Sequence, residues 1–139
     1  MRVTVALLAN RADVRDGLLH IEGGGWEFTT SPQYPATIGG YFAGIVEIDP
    51  GELGTTPALT VAVVDGDGRV VGFEGSMILS LIRERVIAGA PMRVPFVVPF
   101  TAAIPAPMSL ALRVTAGDGS LLASVPFIAT TPYLPAPPT

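Results

Sequence analysis

His20 and Glu22 stand two positions apart in "GLLHIEG", and His20 is the chain's one histidine. On an extended strand, residues two apart share a face, so Leu18, His20 and Glu22 line up together while Leu19 and Ile21 take the other side. An imidazole beside a carboxylate can take and return a proton near neutral pH. The plainer reading is a solvated strand face, and the rest of the chain favours it. There is no cysteine, and no serine sits in Gly-x-Ser-x-Gly; "EGSM" around Ser76 fails that pattern. Zinc would have a single imidazole and otherwise only carboxylates. The expectation is a non-enzymatic protein with no catalytic residues, no metal and no cofactor.

Two glycine-bearing stretches imitate ligand loops. In "DGDG" (Asp65–Gly68) the third position of a calcium loop falls on Arg69, which would repel a cation, so the stretch reads as a hairpin turn. In "GGG" (Gly23–Gly25) a phosphate cradle would need a helix N-terminus next. The chain instead continues with "WEFTTSPQYP", so the glycines read as freedom for the backbone to turn away under Trp26. Trp26, Phe28, Tyr34 and Tyr41 crowd together in sequence. They are a candidate ligand site for a sugar or lipid, or else they close the open end of a core. "RER" (Arg83–Arg85) is a charged loop or solvated edge, or alternatively a salt-bridge patch facing a partner.

The elements that must hold these residues are short strands. Gly 16 and Pro 14 among 139 residues punctuate the chain too often for long helices. "VTVALLA" (Val3–Ala9) reads as a buried strand, "NRADVRDG" as the loop after it, with "VRDG" its turn, and "GLLHIEG" as the return. In "TIGGYFAGIVEID" the apolar residues Ile38, Phe42, Val46 and Ile48 fall on even positions. Gly39, Gly40 and Gly44 interrupt it, which predicts a bulge or a close backbone approach. "ALTVAVVDGDGRVVGFEG" and "SLALRVTAGDGSLLASVPFIA" each alternate, turn and return, predicting two similar hairpins. Ser80–Met92 is open between strand, helix and loop, with strand favoured to about Ile82. "MRVPFVVPF" puts Phe96, Val98 and Phe100 opposite Pro95, Val97 and Pro99. Its prolines confine it to a sheet edge or an extended crossing segment. The whole predicts an all-β fold: a single antiparallel β-sandwich, immunoglobulin-like or jelly-roll-like, over residues 1–131 with a proline-rich tail over 132–139.

These positions resemble an uncharacterised family of short bacterial β-sandwich proteins. The likeness rests on Ala9 and Asn10, then Gly17, Leu19, Ile21 and Gly23, and late in the chain on Leu112, Val114 and Val125-Pro126-Phe127. It implies a β-sandwich and carries no function and no site residues with it.

The formal net charge is −4 at pH 7 and there is no basic run, which argues against nucleic acid as a partner. No apolar run reaches the length of a membrane span, and the N-terminal stretch is a poor secretory signal, so a cytoplasmic location is expected. Hydrophobic residues reach 49% and charged residues only 14%. That excess means either that both faces of much of the structure are buried or that apolar surface remains for a partner, and the expectation is a protein partner, as a homo-oligomer or within a larger assembly. Phe96, Phe100, Tyr133 and Leu134 are the expected interface residues. The leading functional expectation is a self-associating interaction or assembly subunit; the alternative is a small-ligand binder using the Trp26–Tyr41 aromatics.

Overall fold

The computed structural model describes residues 1–53, 57–81 and 86–132. Its strands, in chain order, are β1 (Arg2–Arg15), β2 (Leu18–Gly24), β3 (Phe28–Thr30), β4 (Ala36–Ile48), β5 (Ala58–Val64), β6 (Val70–Ile78), β7 (Met92–Ile104), β8 (Met108–Ala116) and β9 (Leu121–Thr130). They form a four-stranded sheet, β2-β1-β4-β7, and a five-stranded sheet, β3-β9-β8-β5-β6. The protein is all-β, and the two sheets share one core in a sandwich-like arrangement. The pairing departs from the antiparallel expectation at one place: β3 runs parallel to β9. The chain reaches β3 by crossing between sheets, and only a tight hairpin enforces antiparallel neighbours.

The core follows from strand alternation. Even positions of β4 (Ile38, Phe42, Val46, Ile48) face inward and stand in register with even positions of β7. Leu59, Val61 and Val63 of β5 meet them from the other sheet, with Leu110, Leu112 and Val114 of β8 and Phe127 of β9. Phe96 and Phe100 share that interior, with 2% and 3% of their surface exposed. This corrects their assignment to an interface. β7 is the edge strand its prolines require, pairing only with β4, but an edge strand has a free edge rather than a free face. Its even side chains point at the opposing sheet and only its odd ones, Pro95, Val97 and Pro99 among them, point away.

The stretch read as a loop after Ala9 is also strand. β1 continues to Arg15, and the reversal is confined to Asp16 and Gly17, both at positive φ (53° and 72°), as a two-residue hairpin of primed type requires. The charges of "NRADVR" thus lie on strand flanks. Ala9, Ala12 and Ala43 form a second small core, ringed by Leu7, Leu19, Tyr41 and Val97. Leu19 lies on β2 and Val97 on β7, at opposite edges of one sheet. They can share neighbours only if the β1–β2 hairpin bends back across the sheet's outer face, and alanines let it lie close.

At the far end of β2, Gly23 and Gly25 take positive φ (59° and 86°) and release the chain toward β3 and the second sheet. Ser80–Met92 follows neither ordered alternative in its described part: β6 ends at Ile78, and Ala88 and Gly89 form a turn before β7. The two late hairpins share one turn. Asp65 and Ala116 donate their amides to the carbonyls of Arg69 and Ser120 and accept from the amides of Gly68 and Gly119, and Gly68 and Gly119 hold φ of 81° and 86°. In the first, the Asp65 carboxylate accepts from the amides of Asp67 and Arg69 at 2.9 and 3.0 Å, so it is spent on the turn itself. Tyr133, Leu134 and Arg83–Arg85 lie outside the described residues.

Candidate functional site

The bent hairpin gives His20 and Glu22 their setting. Cross-strand register places His20 opposite Asp13 and Glu22 opposite Arg11. Arg15 Nε donates to Asp13 Oδ2 at 2.9 Å, and all five residues line one polar concavity. Three of them were hidden from sequence reasoning because Arg11, Asp13 and Arg15 fell in the presumed loop. The alternation Arg11-x-Asp13-x-Arg15 was the available signal. Arg15 and Asp13 form an ion pair there, and Arg11, Asp13, Arg15 and Glu22 are exposed. Replacing His20 by Ala is expected to change unfolding free energy by less than about 1 kcal/mol, as at other surface sites. A denaturant titration of both proteins measures this.

The buried ionisable side chain among the described residues is Glu47. It sits between Arg2 on β1 and Arg93 on β7 by register. Arg2 Nη2 donates to its Oε1, and Arg93 Nε lies 3.6 Å from Oε2. The hydrogen bond from Arg2 holds the Glu47 carboxyl below the usual glutamate range, against the opposing pull of desolvation. A carboxylate whose folded pKa is depressed adds stability that is complete above its unfolded value, about 4.3, and is lost as pH falls through the folded value. Glu47→Gln should therefore lower Tm at neutral pH and flatten its fall on the acid side. Tm measured from about pH 7 down to about pH 3 reads both effects.

The four aromatics do not converge. Trp26 plugs the core: its ring meets Phe127 edge-on at 5.7 Å, and a Cβ on Gly40 would lie 2.9 Å from its Cζ2. Tyr34 packs against the same core and donates its hydroxyl to the Thr130 carbonyl at 2.7 Å. Tyr41 belongs to the small core under the hairpin. Phe28 alone stands exposed, on the outer face of the five-stranded sheet.

That face carries several of the fold's exposed large hydrophobics. Phe28, Ile128, Leu121, Val70 and Ile78 are exposed by 63, 51, 57, 50 and 67%. Strand register fixes their places. Phe28 lies beside Ile128, Pro126 beside Ala111, Ala111 beside Val64, and Val64 beside Val70. One row along runs Ser124, Arg113, Ala62 and Glu74. A separate cleft of about 420 Å³ lies between the hairpin tip at Val14 and Gly17, the end of β6 at Ile78 and the start of β7 at Met92–Val97. Among the described residues, no group of three metal-ligating side chains gathers anywhere, and no helix is long and apolar enough to cross a membrane.

Fold and surfaces define a two-sheeted all-β protein with one charged hairpin flank and one open apolar sheet face. No protein-family model, no curated protein and no solved structure matches the chain.

Proposed function

We propose that the protein is a non-enzymatic interaction subunit that self-associates or assembles into a larger protein complex, in the cytoplasm. The observation that supports this best is the outer face of the five-stranded sheet. Five large hydrophobic side chains stand at least half exposed on one layer whose other side is already a packed core. Large apolar side chains left open on a sheet face mark association surfaces, and here they stand at the corners of the face, around the row Ser124–Arg113–Ala62–Glu74. The chain's low charge content points the same way. For the sandwich type, the immunoglobulin-like or jelly-roll-like affiliation stays part of this proposal, supported by two stacked sheets between which the chain repeatedly crosses. Sedimentation of the full chain at micromolar concentration tests the function. Self-association gives a mass at a whole multiple of one chain, and assembly gives a co-purifying protein. A single chain mass with no companion overturns the reading.

A second reading, a binder of a small apolar ligand, draws on the cleft beside Val14, Ile78 and Met92. Its volume falls within the usual range of ligand sites and its lining is mostly apolar. Saturable uptake of a fluorescent fatty acid, abolished by Ile78→Arg, would support it; no uptake removes it.

A further inference from the structure

Arg113 is an unusual residue for its position. It lies on β8 in the middle of the five-stranded sheet, facing outward between Ser124 and Ala62. It forms no ion pair among the described residues, and its Nε is buried without a hydrogen-bond partner. Its guanidinium reaches the β5–β6 turn, where a Cβ on Gly68 would stand 3.4 Å from Nη1. The side chain thus lies along the sheet, over neighbours Ala62 and Val64, which are buried although they face outward. The buried Nε has no acceptor where the side chain now lies, so swinging the guanidinium outward to an acceptor on a partner would satisfy it. On the same row, two strands away, Glu74 of β6 is exposed and has no ion pair among the described residues.

We propose that this face binds a second copy of the chain, sheet on sheet, about a two-fold axis running along β5, with Arg113 of each copy facing Glu74 of the other. The inference rests on the self-association proposed for the same face. The symmetry follows from the register. A two-fold axis lying in the interface along β5 exchanges the flanking strands, so β8 of one copy meets β6 of the other, and β5 meets β5. The rows of Arg113 and Glu74 then coincide twice, once on each side of the axis, and Arg113 reaches Glu74 by swinging away from the β5–β6 turn, which also uncovers Val64. The neighbouring rows match as well. Val64 meets Val64 and Ala111 meets Val70 in one; Thr60 meets Thr60 and Thr115 meets Ser76 in the other. Charge meets opposite charge, apolar meets apolar and hydroxyl meets hydroxyl under one operation. β9 and β3 lie beyond β6 of the second copy, so the contact is made by β8, β5 and β6. Aligned stacking of this kind is the ordinary geometry of packed sheets.

The test is charge reversal read by light scattering. Wild-type protein is expected at twice the mass of one chain. Glu74→Arg sets like charges opposite each other twice per dimer and should weaken association by about a hundredfold or more, as should Arg113→Glu. An equimolar mixture of the two variants restores opposite charges at both contacts, so the mixture should regain the dimer mass while each alone stays at one chain. Should Arg113→Glu fail to fold by circular dichroism, Glu74→Arg on the exposed edge strand carries the test, with Arg113→Gln as its neutral companion. Reversal that leaves the oligomer intact overturns this interface while self-association stands. Single variants that dissociate but do not recombine overturn the Arg113–Glu74 pairing. A wild-type monomer overturns both this interface and the self-association on which it rests.

Discussion

Phe96→Ala should cost about 3–5 kcal/mol of stability, the ordinary cost of emptying a large aromatic site in a core. The ring is enclosed between the two sheets and meets Phe42 at 5.5 Å between centroids. Its neighbours are strand residues fixed by ladders on both sides, so the cavity has little freedom to collapse. A loss of that size is a large share of the stability of a typical domain. Urea unfolding followed by circular dichroism measures it, and the midpoint should fall while the slope stays unchanged. Were Phe96 an interface residue, the variant would instead keep its unfolding midpoint and change its solution mass.

Gly44→Val is the second large effect. Gly44 sits where β4 passes directly beneath the Phe96 ring. A Cβ there would lie 2.6 and 2.7 Å from Phe96 Cζ and Cε1, and closer still to the Val5 carbonyl oxygen of β1. The ring could shift, but the carbonyl belongs to a ladder strand. Overpacking and displaced backbone together should cost about 3 kcal/mol or more. Gly66→Ala, with open space around the new methyl, is the control and should be near neutral. Because Gly44 and Phe96 contend for the same volume, Gly44→Val combined with Phe96→Ala should cost less than the sum of the two single changes. Unfolding midpoints of the four proteins close that cycle.

These two residues also show what the sequence conveys and what it does not. The even positions of Thr37–Asp49 predict the inward face of β4 correctly, and the prolines of "MRVPFVVPF" correctly predict an edge. Alternation says which side chains share a face. It does not say whether that face is covered, and so Phe96 and Phe100 read as exposed when the second sheet lies over them. Gly44 is legible as a close approach, but the ring it admits comes from a strand far along the chain. The hairpin at Asp16-Gly17 is legible as a turn. That the charged residues before it are strand is not, because the hairpin bends back over alanines and hides one flank, leaving a pattern with no clean period. Trp26 follows its plainer reading and closes the core. Arg113 and Glu74 were legible in principle: "LALRV" and "GFEGS" each put one charge on the face opposite the apolar residues. Their meeting on one row depends on two strand registers, β8 with β5 and β5 with β6, neither of which a single sequence contains.

The central claim is that the β8–β5–β6 part of the outer face of the five-stranded sheet is covered by a second copy. The chain has no cysteine, so one introduced thiol gives one label per chain, and any label–label coupling must arise between chains. Asp67→Cys places a nitroxide on the β5–β6 turn at the rim of that face; Thr101→Cys places one on the outward side of β7, on the opposite sheet. With stacked sheets about 10 Å apart, pulsed electron–electron double resonance should find the Asp67→Cys labels roughly 20 Å apart. The Thr101→Cys labels, separated by the full stack of four sheets, should lie at about 30 Å or beyond. No intermolecular coupling at Asp67→Cys, or a shorter distance at Thr101→Cys, would contradict the account.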